Sequence, residues 1–169
     1  IEKCNFMKKV CMLNNLSDKN IKILNYGLSD QIGKYSIGSK NRDGDGTKPG
    51  NTGGWEWIKD KNGIEFKTLD FLYEKQIINE IGFFWMDAQW MEDAIIRGGS
   101  LFLNKCKPYI LMEYFPVTKF YPNGTAKEYR QGTKDELKKD KHYKKIFSET
   151  GIKISDKGDE LDDILLEFK

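Results

Sequence analysis

Two short apolar runs, joined by a helical pattern, constrain this chain most. They are IGFFWM at 81–86 and PYILMEYF at 108–115. A nearly continuous apolar run is typical of a strand that is covered on both faces, as in a parallel sheet. Between the runs, apolar residues recur at helical spacing from Met91 to Phe102. The order strand, helix, strand predicts a βαβ unit with a right-handed crossover, and therefore an α/β fold.

Shorter elements surround this unit. The stripe formed by Phe6, Val10 and Leu13 predicts a helix over 5–16. Thr133 and Glu136 form a predicted capping box that begins a later helix. The Gly-, Asn- and Asp-rich segment 39–54 predicts a long loop. Strands are predicted at 21–27, within 29–38 and from residue 64 onward, and a short helix is predicted over 69–77. Two edge strands are predicted at 151–154 and 162–168.

Length and charge limit the possible function classes. The chain has 169 residues, enough for one domain with a core. Its 28 Lys and Arg against 26 Asp and Glu leave a net charge of +2, which does not favour a nucleic-acid partner. No apolar run approaches the roughly 20 residues that span a bilayer, and the start lacks the apolar core of a signal peptide. We expect neither a nucleic-acid nor a membrane partner.

Residue types that bind metals are sparse. The three cysteines form no CxxC pair, which favours reduced thiols and a cytoplasmic protein. The single histidine, His142, lies among charges, which disfavours a histidine-based zinc site or a Ser-His-Asp triad. Asp43 and Asp45 lack the remaining spacing of a calcium loop. We therefore predict no metal site.

Acidic residues end the two apolar runs. Asp87 follows the first run and Glu113 lies at the end of the second, and Glu2 is expected at a third strand end. Ligands of open parallel sheets bind beyond the carboxyl ends of the strands. Carboxylates there suit ribose hydroxyls, an amine or a cation, or could act as a general base. The alternative is that Asp87 only caps the following helix, and the pattern alone leaves both interpretations open.

The order of these residues resembles the core of the FkbM family of S-adenosylmethionine-dependent methyltransferases. In that family an apolar strand ends in Asp-x-Glu-Gly-x-Glu, with Gln accepted for the first Glu. A helix with Gly-Gly or Gly-Ala follows, and then a Pro-led strand that ends in Glu. The matching residues here are Asp87, Gln89, Glu92, Gly98, Gly99, Pro108 and Glu113.

Other segments resemble the family in the same order, so the likeness covers nearly the whole chain. They are IEKCNFMKKVCMLNNL, YGLSDQIGKYSI, NTGGWEW, FKTLDFL and DDILLEFK. There are two departures. The family's glycine-rich cofactor loop would precede Ile1, and Trp90 stands where the family usually has Gly. We therefore expect that the chain is a piece of a longer or processed protein.

The resemblance implies a Rossmann-like, mostly parallel methyltransferase sheet whose first cofactor-loop strand is missing from this chain. It implies one N-terminally incomplete methyltransferase domain over 1–169. It also implies methyl transfer from S-adenosylmethionine, commonly to an oxygen of a sugar or another small acceptor. The partner would then be a small-molecule or glycan acceptor.

The resemblance also assigns candidate roles to residues. Asp87 would remove a proton or orient the acceptor, and Gln89 would hydrogen-bond hydroxyls. Trp90 is predicted to form a wall of the acceptor pocket, the alternative being packing in the core with Trp85 or Phe102. The predicted cofactor-binding residues are Glu2, Ser29, Asp30 and Asp87, and the predicted substrate-binding residues are Asn51, Gly53, Gly54, Trp90, Glu92 and Glu113.

Two other function classes remain open from the sequence. One is a truncated, non-catalytic methyltransferase-like module that serves for interaction or sugar binding. The other is a nucleotide-sugar enzyme on a similar sheet, which would bind a uridine or guanosine diphosphate sugar.

Overall fold

The computed structural model describes residues 2–16, 21–41, 55–88, 91–114, 116, 131–158 and 163–169. Within these ranges the chain forms helices and two sheets. The helices are α1 (Glu2–Leu13), α2 (Leu69–Glu74), α3 (Glu92–Arg97), α4 (Ser100–Cys106), α5 (Lys134–Lys139) and α6 (Lys141–Thr150). The strands are β1 (Gly27–Leu28), β2 (Gly33–Asn41), β3 (Trp55–Lys59), β4 (Ile64–Lys67), β5 (Phe83–Met86), β6 (Tyr109–Met112), β7 (Ile152–Ile154) and β8 (Ile164–Phe168).

The first sheet has the strand order β1-β4-β2-β3. Strands β1 and β4 are parallel, and β2 is antiparallel to both β3 and β4. The predicted strand over 21–27 is wrong for most of its length, since only the two residues of β1 pair with a neighbour. Within the described chain no other strand lies beside residues 21–26, so no ladder of hydrogen bonds can hold them extended.

The second sheet has the order β5-β6-β8-β7. Strands β5 and β6 are parallel and are joined through α3 and α4, which confirms the predicted βαβ unit. Strand β8 runs antiparallel between β6 and β7, so its prediction as an edge strand is wrong. Two of the six strand pairings in the described chain are parallel, and a mostly parallel sheet is therefore not confirmed.

The core lies on one face of the second sheet. Side chains from β5, β6 and β8 join side chains from the helices in one cluster. The opposite face is open in the described chain, where Phe83 is 57% and Trp85 62% exposed. The prediction that the first apolar run is covered on both faces is therefore wrong for β5. Members of the cluster are Met86, Ile96, Phe102, Leu103, Ile110, Met112, Ile146 and Leu166.

Side-chain caps hold the short helices in place. The hydroxyl of Thr68 accepts a hydrogen bond from the N–H of Phe71 and so caps α2. The carboxylate of Asp70 accepts from the N–H groups of Leu101 and Phe102, in the first turn of α4. The Thr-Leu-Asp segment thus joins α2 to α4. The predicted capping box at the start of α5 is also confirmed.

The predicted helix between β5 and β6 breaks at Gly98 and Gly99 into α3 and α4. A Cβ atom on Gly98 would lie 2.2 Å from the carbonyl oxygen of Ser29, so only glycine lets these two backbones approach so closely. This contact places the turn after β1 against the end of α3.

Candidate active site at the ends of β5, β6 and β8

Three carboxylates form a row across the second sheet. Met86 pairs with Met112, and Met112 pairs with Ile164. Asp87 and Glu113 directly follow Met86 and Met112, and Asp163 directly precedes Ile164 on the antiparallel β8, so all three lie at the same edge of the sheet. The N–H of Glu113 continues the ladder by donating to the carbonyl of Met86. We call Asp87, Glu113 and Asp163 the acidic row. The predicted meeting of Asp87 and Glu113 at the strand ends is present.

Glu113, the middle member of the acidic row, has a raised pKa. Burial, the charge of Asp87 and a hydrogen bond with Asp87 raise its pKa to about 7, and the charges of Asp163 and Glu92 add to this effect. Its Oε2 atom is buried and has no hydrogen-bond partner in the described chain. Near neutral pH, Glu113, which is hydrogen-bonded to Asp87, can therefore give up or take up a proton.

The far end of the row is held by neutral donors. The indole Nε1–H of Trp85 donates to Oδ2 of Asp163 at 3.1 Å, and Nε2 of Gln131 donates to Oδ1 at 3.2 Å. Asp163 and Gln131 also line an open groove of about 560 Å³. The other lining residues are Gly132, Thr133, Lys134, Asp135, Lys138, Gly158, Ile164 and Leu165.

Glu92 binds the backbone of the residue directly after Asp87. It is only 2% exposed, and its Oε1 accepts the backbone N–H of Ala88 at 2.8 Å. Helix α3 begins after Met91, which is its N-cap residue, so Asp87 does not occupy the N-cap position of this helix. The hydrogen bond between Ala88 and Glu92 thus holds the chain at the end of β5 in place. The side chain of Asp87 is exposed and is accessible to a ligand.

Ser29 and Asp30, two of the predicted cofactor-binding residues, lie in or beside an ion-pair network. The hydroxyl of Ser29, which is buried, donates to Oδ1 of Asp30, and Nη2 of Arg97 donates to Oδ2 of Asp30 at 3.0 Å. Arg97 also binds Asp93 at 2.6 Å, and Nε2 of His142 lies 2.8 Å from the same Asp93 oxygen. We call Asp30, Arg97, Asp93 and His142 the Arg97 network.

Opposing effects act on Asp93 within this network. Burial raises its pKa, but hydrogen bonds from His142 and Arg97 and the charge of Arg97 outweigh it, so the pKa lies below the usual range. Asp93 is therefore ionised at neutral pH and holds α3, α6 and the turn after β1 together through its partners. The network gives Ser29 and Asp30 a structural task, and their contact with a cofactor stays a prediction.

Several predicted site residues fall outside the described residues. These are Asn51, Gly53, Gly54, Gln89 and Trp90 and, for its side chain, Glu2. Their roles remain predictions.

Sequence reasoning missed Asp163 as a site residue. The signal was the pair Asp162–Asp163 directly before an apolar strand, but it becomes informative only when β8 is placed antiparallel beside β6. Trp85 was considered only as a possible packing partner, whereas it is exposed and bonded to Asp163.

The model of the methyltransferase FkbM domain matches residues 2–143. The chain belongs to the FkbM methyltransferase family. The match includes β5, α3, α4 and β6, and with them Asp87, Glu92 and Glu113. Strand β8 and Asp163 lie beyond its end. Comparison with curated proteins and with solved structures gives no significant match.

The described part of this FkbM domain was compared with the requirements of a metal site and of a membrane span. It contains no group of three or more His, Cys, Asp or Glu side chains arranged to hold a metal ion. None of its helices has the length and hydrophobicity of a membrane span. The acidic row supplies hydrogen-bond acceptors for hydroxyl groups on the exposed Asp87 and a negative potential for a cationic ligand.

Proposed function

We propose that this FkbM domain transfers a methyl group from S-adenosylmethionine to a hydroxyl oxygen of a small acceptor, foremost a sugar. The observation that carries the proposal is the Asp87–Glu113 pair, which joins the ends of two parallel strands and in which Glu113 has a pKa of about 7. Family membership supports methyl transfer as the class of reaction. The pair supports an oxygen acceptor, because a hydroxyl must lose its proton.

The residues present fit such a cofactor. Bound S-adenosylmethionine supplies a reactive methyl group on a positively charged sulfur. The exposed carboxylate of Asp87 can accept hydrogen bonds from ribose or acceptor hydroxyls, and the charge of the acidic row favours a sulfonium nearby. Ser29, Asp30 and Glu2 are the residues proposed for the remainder of the cofactor, on the resemblance to the family.

The pair would then act as the general base. As the acceptor oxygen takes the methyl group, its proton passes to the coupled carboxylates of Asp87 and Glu113. A base that titrates near the working pH is most effective in this role. Orientation of the acceptor by the other carboxylates contributes a further part of the rate, since alignment alone can remove several kcal/mol from a barrier.

Charge argues against the nucleotide-sugar enzyme. The groups that act on Glu113, namely Asp87, Asp163 and Glu92, are all acidic, and this field disfavours a pyrophosphate. The non-catalytic module differs from our proposal in lacking turnover.

The three free cysteines, Cys4, Cys11 and Cys106, are compatible with the proposed cytoplasmic location.

The replacement Asp87→Asn tests the proposal. It keeps the size of the side chain but removes the charge, so turnover should fall about a hundredfold or more, a larger effect than the accompanying loss of cofactor affinity. The complete protein would be incubated with S-adenosylmethionine and hydroxylated acceptors, and the methylated product would be measured by mass spectrometry. Glu74→Gln, an exposed carboxylate on α2, is the matched control and should keep full turnover.

Two results would reject the assignment. Full turnover of Asp87→Asn would remove Asp87 from the reaction. Binding of acceptors without any methyl transfer by the unchanged protein would favour the non-catalytic module, and tight binding of uridine diphosphate glucose would favour the nucleotide-sugar enzyme.

A further inference from the structure

Trp85 is a large aromatic residue in an unusual setting. It is 62% exposed although it belongs to an apolar strand of the second sheet. Its indole is held by the hydrogen bond from Nε1 to Asp163, and Gln131 holds Asp163 in turn. The ring is thus oriented by polar contacts while much of its surface faces solvent. An oriented, exposed indole is a flat apolar surface that is available to a ligand.

Trp85 lies directly beside the acidic row. Side chains alternate along a strand, so Trp85 and Asp87 point to the same side of the sheet, at a spacing of about 7 Å. That distance is close to the width of one pyranose ring. A ring that lies on the indole would therefore bring its hydroxyl groups to Asp87 and Glu113.

Asp163 has spare capacity to bind hydroxyl groups. A carboxylate offers about four lone-pair sites. Trp85 and Gln131 occupy two of them among the described donors. The acidic row would repel an anionic ring, and Lys138 in the neighbouring groove is paired with Asp135 at 3.4 Å. The chemistry of this surface therefore suits an uncharged ring that has one apolar face and several hydroxyls.

We propose that Trp85 is the platform for an uncharged sugar ring of the acceptor, and that Asp163 binds hydroxyls of that ring. The inference rests on the proposed methyl transfer and deepens it by restricting the acceptor to an uncharged sugar ring and by naming two residues that determine this choice. Trp85 takes no part in proton transfer. Its role is to place an acceptor hydroxyl beside the Asp87–Glu113 pair.

The test compares Trp85→Ala with Phe83→Ala. Phe83 is a matched control because it is 57% exposed, lies on the same strand and points to the same side, but is two residues farther from the acidic row. The probes are methyl α-glucopyranoside, methyl α-galactopyranoside and methyl α-mannopyranoside, with methyl α-glucuronide as the anionic counterpart. Saturation-transfer NMR and titration measure binding to the complete protein.

We expect the unchanged protein to bind at least one neutral glycoside and to reject the glucuronide. Trp85→Ala should weaken this binding about tenfold, and Phe83→Ala should leave it within about twofold. Because both side chains are exposed, the melting temperatures should stay close to that of the unchanged protein. The inference is overturned if neither variant weakens binding, if both weaken it equally, or if no neutral glycoside binds.

A second readout separates this inference from the proposed function. With an accepted sugar and S-adenosylmethionine, Trp85→Ala should raise the KM for the sugar and leave the KM for S-adenosylmethionine unchanged. If Trp85→Ala leaves methyl transfer unaltered, the inference about Trp85 is refuted while the proposed function stands. Glycoside binding that depends on Trp85, without any methyl transfer, would defeat the proposed function and leave the binding surface in place.

Discussion

At the residue scale, the neighbours of Glu113 determine its protonation. Its pKa of about 7 results from burial first and from the charge and hydrogen bond of Asp87 next. The same features that make the pair a suitable base cost stability, because an ionised Glu113 is poorly solvated and faces other anions.

This cost predicts a dependence of stability on pH. The pKa of Glu113 is raised from 4.5 to about 7, so the folded chain holds more protons than the unfolded chain between these values. The free energy of unfolding should therefore fall as the pH rises through this window. Glu113→Gln removes the titration and keeps the size, so the loss of melting temperature between about pH 5 and pH 8 should be smaller than in the unchanged protein.

Thermal unfolding at several pH values provides the measurement. Glu74→Gln serves again as the control, since this exposed carboxylate should leave the pH profile as it is. If Glu113→Gln and the unchanged protein lose the same melting temperature over the window, the raised pKa of Glu113 is refuted.

The residue scale also shows how far the sequence predicts the site. Asp87 and Glu113 were identified because each directly follows, or nearly ends, an apolar run. Asp163 was not, since its position depends on which strand lies beside β6, and hydrophobic periodicity carries no information about strand order. The ion-pair partner of Asp30, Arg97, is likewise distant in sequence.

At the element scale, the junction between α3 and α4 depends on close backbone packing. Gly98→Ala would place a Cβ atom 2.2 Å from the carbonyl oxygen of Ser29, a contact that only a backbone shift can relieve. We expect a loss of about 1–3 kcal/mol in the free energy of unfolding, as for other overpacked sites.

Gly82→Ala is the matched control for this junction. A Cβ atom on Gly82 meets no atom within 4 Å, so its effect should stay within about 0.5 kcal/mol. Urea denaturation of both variants gives the comparison. Equal stabilities of Gly98→Ala and Gly82→Ala would contradict the close approach of α3 to the turn after β1.

The apolar run of β5 illustrates the limit of prediction at this scale. The letters FFWM indicated a strand, and the strand is present. They also indicated burial on both faces, yet Phe83 and Trp85 are exposed. A run of apolar residues in the sequence indicates side chains that favour burial. Whether they are buried depends on which distant elements pack against each face of the strand.

At the scale of the whole molecule, the Arg97 network links the first sheet to the helices of the second. Arg97 binds Asp30, next to β1, and Asp93 on α3. Both side chains of the Arg97–Asp30 pair are about one-third exposed, at 36% and 33%, so solvent screens their attraction.

A double-mutant cycle with Arg97→Gln and Asp30→Asn measures this link. The coupling energy from chemical denaturation should be about 0.5–1 kcal/mol and should shrink in high salt. Lys153 and Glu167, a pair within the second sheet, provide a reference cycle that leaves the contact between sheets unchanged. Strictly additive effects of Arg97→Gln and Asp30→Asn would show that the pair contributes nothing to joining the sheets.

The position of β8 has a consequence for synthesis of the protein on the ribosome. It is the last described strand to be translated, yet it fills the middle of the second sheet, between β6 and β7. Until it emerges, β6 offers an unpaired edge that carries Ile110 and Met112, both fully buried in the finished fold. A nascent chain therefore has an interval in which this edge is prone to aggregation, and the acidic row is completed only when that interval ends.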